Sequence, residues 1–301
     1  MANLEISRAE RLDMRIVAME PRLTRSAATK LINDGKVTVN GKVITKAGHK
    51  IRAGDEVALD FDLERAQAIP SIELPIIYED EDCVVLNKPI GLLTHSKGAF
   101  NPEATVASWL GEHLSEQGKT ELLDLDKEVA IGSPNNPRAG IVHRLDRATS
   151  GVIIGAKTPA ALAWLQKQFA QRNVKKIYYA VIEGRLELDE AMIDMPIGRN
   201  PKAPATFRLD ANGKPAKTQY RVIKGNDRYS LVELKPETGR THQLRVHLAN
   251  LGHPIVGDPI YDGAPADRMF LHAKTLELTL PSRKREVFEA PLPPEFEEMV
   301  R

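Results

Sequence analysis

The chain is short of several things, and each shortage narrows its class. It has one cysteine, Cys83, set in the apolar run Cys83-Val84-Val85-Leu86. A lone thiol makes no intrachain disulfide, so it reads as a small buried hydrophobe in a reducing, cytoplasmic setting. No apolar run reaches the roughly 18 residues of a membrane-spanning helix, and no stretch reads as a signal peptide. No membrane partner is expected. Aromatic residues make up only 5% of the 301 residues, and the formal net charge is just +1, so total charge does not point to nucleic acid. His242, His247, His253 and His272 lack metal-site spacing: His242 and His247 stand five apart, not at i, i+4, and no cysteine cluster accompanies them. No bound metal is expected. No short-period repeat is present.

What is present is ample core material, with 42% hydrophobic and 28% charged residues, enough for one large domain or two unequal ones. The charge is unevenly spread. Between Arg22 and Arg52 stand eight lysines and arginines (Arg22, Arg25, Lys30, Lys36, Lys42, Lys46, Lys50 and Arg52) against one acid, Asp34. Such a patch is the footprint of a phosphate-backbone binder. It holds no aromatic residue, so recognition of folded RNA by shape fits better than base stacking. A basic solvated surface is the plainer alternative. Locally, Leu12, Ile16 and Met19 repeat with helical period and Pro21 ends that helix. A second helix is expected between an N-cap at Ser26 and Gly35. Asn40-Gly41 marks a hairpin in Lys36–Ile44, and another strand follows at 51–59.

Residues 62–74 turn acidic and end in prolines, which reads as a linker between a domain at 1–61 and a second at 75–301. The second domain opens with two short strands ending at Asn87-Lys88-Pro89. Lys88 either meets a phosphate or sits on the surface. A helix is expected at 105–115 and a polar surface loop at 117–138. The centre of the chain is His143-Arg144-Leu145-Asp146-Arg147-Ala148-Thr149-Ser150-Gly151 between two β-branched runs, Ile141-Val142 and Val152-Ile153-Ile154. Asp146 lies between two cations, which favour its charged form. It serves either as a reacting or basic carboxylate or as the anion of a structural pair. A helix from an N-cap at Thr158 and a strand over 175–184 follow. Alternation puts Tyr178 and Tyr179 on opposite faces of that strand, and only one of them faces the cleft. A further strand at 229–234 leads to Gly239-Arg240-Thr241-His242-Gln243-Leu244-Arg245-Val246-His247, with a helix from about Thr241.

Two resemblances follow from these stretches. Residues 10 to 60, with Val37, Val39, Asn40, Gly41, Gly54 and Asp55, resemble the small RNA-binding domain first known from ribosomal protein S-four. The order His143-Arg144-Leu145-Asp146-x-x-Thr149-Ser150-Gly151, then Lys176-x-Tyr178-x-Ala180, then Gly239 to His247, preceded by Asn87-Lys88-Pro89-x-Gly91, resembles the RluA-type pseudouridine synthases over about Ile76 to Leu292. The resemblance implies an α+β fold: a mixed, mainly antiparallel sheet with flanking helices, plus the small α/β N-terminal domain. It implies that Asp146 is the catalytic aspartate, that Arg245 pairs with it, and that Tyr178 stacks on the target base and handles the proton on carbon 5. Arg144 would enter the space left by the flipped uridine. Arg147, Arg240 and Lys88, with Arg22, Arg25, Lys30 and Lys36 of the basic patch, would contact RNA. The implied partner is large-subunit ribosomal RNA, with no metal, nucleotide or redox cofactor, and a monomer is the expected state. A tRNA substrate is the alternative within the class. A non-catalytic assembly factor is the alternative outside it, against which the joint presence of Asp146, Tyr178 and Arg245 argues.

Overall fold

The computed structural model describes residues 10–61, 69–95, 103–123 and 140–301. The chain divides into two compact units, one of Met1–Ile72 with His95–Ala139, the other of Glu73–Thr94 with Gly140–Arg301. The second unit thus starts two residues before the boundary expected at 75, and the stretch 95–139 clusters with the first. Most of the expected loop at 117–138 lies outside the described residues.

The first unit is built from β1 (Glu10–Arg11), α1 (Leu12–Met19), α2 (Arg25–Asn33), β2 (Val37–Val39), β3 (Lys42–Val43), β4 (Lys50–Ile51) and β5 (Val57–Leu59). Strands run in the order β3-β2-β5, and β1 pairs with β4. Leu12, Ile16, Leu31 and Ile32 face Val37 and Ile51 in one core. The cap of α2 is Thr24, not Ser26. Thr24 keeps an extended backbone and its hydroxyl accepts from the Ala27 amide at 3.2 Å, which places Ser26 inside the helix. Asn40 and Gly41 both take positive φ, 51° and 73°, as a tight hairpin turn requires. The unit also holds α3 (Val106–Glu116), capped by Thr105 and Ser108, each bonding the other's backbone.

Among the described residues of the second unit, nine strands form one sheet. These are β6 (Ile76–Glu79), β7 (Cys83–Lys88), β8 (Ser150–Ala156), β9 (Lys175–Glu183), β10 (Glu190–Asp194), β13 (Lys217–Gly225), β14 (Tyr229–Pro236), β15 (Leu271–Thr279) and β16 (Arg285–Glu289). Their order is β10-β13-β14-β9-β15-β8-β7-β6, with β16 on β15. Only β15 and β8 run parallel; every other pair in this sheet is antiparallel. A small ribbon, β11 (Ile197–Arg199) and β12 (Phe207–Leu209), stands apart. The helices are α4 (Pro159–Ala170), α5 (Gln243–Asn250) and the short α6 (Glu295–Glu298). Cys83 is buried, and burial pushes its thiol up to about 12, so it serves as core. No helix among the described residues is long and apolar enough to cross a membrane.

Two departures from the sequence reading bear on the site. Ile141-Val142 is not a strand; Ile141 makes a single bridge to Gly155. The side chain of His143 stands in for the missing ladder, its Nε2 accepting from the Ile154 amide at 3.1 Å while its ring stacks on Phe169. Gly151 has φ +113°, and a Cβ there would lie 2.1 Å from the Ala273 carbonyl oxygen. Only glycine lets β8 close on β15 at the end of the Asp146 turn.

Candidate active site

The sheet order explains how distant motifs meet. β9 lies between β14 and β15, so Tyr178 pairs across to Leu234 and Ala273. β8 joins the other edge of β15, and the turn before it carries Asp146. The segment after β14 supplies Arg240, His242 and Arg245. Together these line a cleft of about 130 Å³ containing Arg144, Asp146, Tyr178, Arg240, His242 and Arg245. That is close to the roughly 150 Å³ of a cavity that takes up a benzene ring, the scale of a small flat ring.

The Asp146 turn is held from several sides. The Thr149 amide donates to the Asp146 carbonyl at 3.0 Å, and the Gly91 amide to the Arg147 carbonyl at 2.8 Å. Thr94 clamps Leu145 both ways, its hydroxyl accepting from the Leu145 amide and donating to its carbonyl. Lys88 corrects the sequence reading. It is 0% exposed, and its ammonium donates to the carbonyls of Pro89 and Leu92 at 2.8 Å, with Arg147 O at 3.5 Å. It is therefore shut off from solvent and does not sit on the surface. Burial drives its pKa down to about 7, against the pull of Asp146. A fully extended strand end buries this stem because β7 is covered along its length, and three carbonyls replace water around the ammonium.

The α5 helix is buried on two sides. Leu244 and Leu248 pack into the main core, while Val246 packs against Ile197, Ala216 and the β11–β12 ribbon. Arg245 is therefore only 4% exposed. Its principal partner is one the sequence reading missed. Asp258, 0% exposed, receives Arg245 Nε at 2.6 Å and Nη2 at 2.7 Å. The expected contact to Asp146 is there but longer, Nη1 to Oδ2 at 3.4 Å. Burial opposes the guanidinium's charge, yet the fork onto Asp258, then Asp146, raises its pKa. Val256-Gly257-Asp258-Pro259 carries a turn signal, but nothing in the sequence links that turn to Arg245.

Asp146 keeps 21% of its side chain exposed. Both of its near partners approach one oxygen: Arg245 Nη1 lies 3.4 Å and His242 Nε2 3.8 Å from Oδ2. Tyr178 is the cleft-facing tyrosine of the pair. Burial, then the charge of Asp146, raises its hydroxyl well above the usual phenol range, so it stays protonated at neutral pH. His143, beside Arg144 in the sequence, is pushed down to about 3 by burial and then by Lys176, which suits its role as a neutral acceptor. A second missed residue, Gln243, braces the turn: its Oε1 accepts from Thr238 and from the Arg240 amide, and its Nε2 donates to Lys217 O and Thr218.

The remaining expected residues divide between the cleft region and the first unit. Arg144 is exposed at the cleft and has no ion pair among the described residues. Arg240 donates to Pro215 O at 3.0 Å. Arg147 is exposed beside the cleft wall, with Gly91 O at 3.5 Å. The other four lie in the first unit. Arg22 grips Glu20 at two points, and Arg25 donates to buried Asp13 at 3.0 Å. Lys30 and Lys36 are exposed and make no ion pair among the described residues. His247 bonds Thr218 and Met195 O in the core, and no group of three potential metal-ligating side chains occurs among the described residues.

Known proteins resemble this chain over most of its length. The family pattern described as RNA pseudouridylate synthase matches residues 82–250, and that of the S4 domain matches 10–57. The chain is 36% identical over 97% of its length to "Ribosomal large subunit pseudouridine synthase D" of Escherichia coli (strain K12), covering 90% of that protein. It is 35% identical over 96% to the Vibrio cholerae protein of the same name, again covering 90%. Among solved structures, Human RNA Pseudouridylate Synthase Domain Containing 1 superposes with TM-score 0.60 at 28% identity, over 76% of this chain and 88% of that one. Human RNA Pseudouridylate Synthase Domain Containing 4 gives TM-score 0.58 at 26%, over 75% and 91%. The chain is a pseudouridine synthase, a member of the RNA pseudouridylate synthase family of the RluA type that carries an N-terminal S4 domain.

Proposed function

We propose that this enzyme isomerises uridine to pseudouridine in large-subunit ribosomal RNA, with Asp146 as the catalytic carboxylate. The observation that carries the reading is the state of Asp146. Its Oδ2 is approached by Arg245, while Oδ1 has no partner among the described residues and stays available at the cleft. The relatives' names specify the large ribosomal subunit.

The chemistry breaks the bond from ribose carbon 1 to ring nitrogen 1, turns the base, and joins carbon 1 to carbon 5. The carbon 5 proton leaves and nitrogen 1 gains one, so the sum is an isomerisation with no redox change. Arg245, locked by Asp258, fixes the carboxylate ahead of the reaction. Tyr178 presents its ring face to the base and, being protonated, a hydroxyl donor rather than a base. The flipped nucleotide costs a few kcal/mol to extrude from folded RNA. Cations beside the cleft offset that cost. Arg144, Arg172, Lys176 and Arg240 line an adjoining groove of about 400 Å³ in which Glu237 is the one acid among the described residues. Burial and then Arg172 lower the pKa of Lys176, and an RNA phosphate there would favour its charged form. Lys30 and Lys36 of the S4 domain give a further phosphate-binding face, and the enzyme acts as a monomer without metal or cofactor.

The test is pseudouridine formation on unmodified large-subunit rRNA transcribed in vitro, mapped site by site. Wild-type protein is expected to convert specific uridines and Asp146→Ala none. Equal yields would remove Asp146 from the chemistry, and product found only on tRNA would move the substrate.

A further inference from the structure

His242 has a place in the site that the reaction scheme above does not use. It sits at the start of α5 in a left-handed conformation, φ 57°, with no side-chain cap. Its Nδ1 lies 2.8 Å from the Tyr261 hydroxyl, and its Nε2 lies 3.8 Å from Asp146 Oδ2. The hydrogen bonds around Tyr261 point to its tautomer. The Tyr261 oxygen accepts from the Phe207 amide at 3.1 Å. Its hydroxyl proton has one acceptor within reach among the described residues, His242 Nδ1. With Nδ1 accepting that proton, the neutral ring carries its own on Nε2, the nitrogen that faces Asp146.

The support behind this contact is shared with Arg245. Asp258 holds the Arg245 fork, and the same carboxylate accepts from the amides of Ile260 and Tyr261 at 3.0 and 3.3 Å. The Arg245 guanidinium also lies over the Tyr261 ring, 5.1 Å from its centroid. One short segment, Asp258 to Tyr261, thus backs both groups that approach Oδ2. At 3.8 Å the His242 contact is too long for a hydrogen bond. Catalytic contacts in a ligand-free site are often loose and tighten when substrate fills the cleft.

We infer that His242 is a positioning residue for Asp146: in the Nε2–H tautomer set by Tyr261, it donates to Oδ2 beside Arg245 and leaves Oδ1 to react. This rests on the function proposed above. A packing role is the rival account, since the His242 ring meets Phe207 and Tyr261 edge-on at 5.6 Å each.

Backbone and chemistry predict opposite orders for two substitutions, which makes the test sharp. Left-handed backbone favours asparagine over glutamine. Glutamine, by contrast, places an amide N–H where Nε2 was, and asparagine places one only near Nδ1. The experiment measures single-turnover pseudouridine formation and RNA affinity on the full-length protein, for wild type, His242→Gln, His242→Asn and Tyr261→Phe. His242→Asn is expected to slow the chemical step by roughly 10- to 100-fold, the range for losing a hydrogen bond to a charged group. His242→Gln should lose markedly less, Tyr261→Phe should fall between them, and RNA affinity should hold throughout. Thermal melting of Tyr261→Phe, which keeps its ring, separates lost folding from lost chemistry. An active wild type in which Asn equals or exceeds Gln, or in which rates fall only in step with melting temperature or RNA affinity, overturns this inference alone. A wild type that forms no pseudouridine overturns the proposed function and this inference with it.

Discussion

The two units solve a similar electrostatic problem in opposite ways. In the first, one buried carboxylate, Asp13 at 2% exposure, is met by two exposed arginines, Arg11 at 2.9 Å and Arg25 at 3.0 Å. The Arg11 hydrogen bond leads in lowering the Asp13 pKa, against its burial. In the second, one buried arginine serves two carboxylates, Asp258 closely and Asp146 loosely. The first arrangement saturates its carboxylate and leaves nothing to react. The second spends the guanidinium's fork on Asp258 and keeps Asp146 oriented but only partly satisfied. Such an incompletely paired anion at a cleft is what a reacting carboxylate needs.

Substitutions should separate the two. Asp258→Asn leaves a buried arginine short of its counter-ion, and should cost about 3–5 kcal/mol of stability and most of the activity. Asp13→Asn releases arginines that are already half in water, and should cost about 1–3 kcal/mol with the chemical step intact once RNA is bound. Denaturant unfolding and single-turnover assays read both. If Asp258→Asn proves as mild as Asp13→Asn, the contrast between the two units fails.

A smaller effect follows from His143. Its pKa is about 3 in the folded chain against an ordinary 6.5, so the unfolded chain binds the extra proton across that window. Stability must then fall as pH drops from about 6.5 toward 3. Comparing wild type with His143→Gln isolates this slope; wild type should lose stability more steeply, and parallel curves would contradict the assignment of His143 as a neutral brace.

The smallest effects lie on the basic face of the S4 domain. Lys30→Ala and Lys36→Ala should each flatten the salt dependence of RNA binding, by about 0.7 to 0.9 in log–log slope for every phosphate the side chain neutralises. Arg22→Ala should change it less, because that arginine is already gripped by Glu20. A salt series on one RNA ranks the three.

How much of this the sequence carries depends on the range of the interaction. The Asn40-Gly41 hairpin, the Thr158 cap of α4 and the β9 strand are local, and each stands where its residues predict. Asp146, Tyr178 and Arg245 were marked by motifs, and the sheet order brings them to one cleft. What escaped was set by tertiary packing. Ile141-Val142 has the composition of a strand, but His143 takes the ladder position at Ile154. Lys88 looks like a surface cation until β7 is buried around it. Asp258 and Tyr261 carry no pattern that ties them to α5, and only the fold shows that they back Arg245 and His242.

The central claim is that Asp146 does the chemistry while other groups hold it and the RNA. The most direct measurement is the single-turnover rate of Asp146→Asn at saturating large-subunit rRNA, with affinity determined in the same samples. Asparagine keeps the shape of the side chain and removes its charge. Normal RNA affinity with no pseudouridine formed is the predicted result; product at a rate near that of wild type would contradict the account.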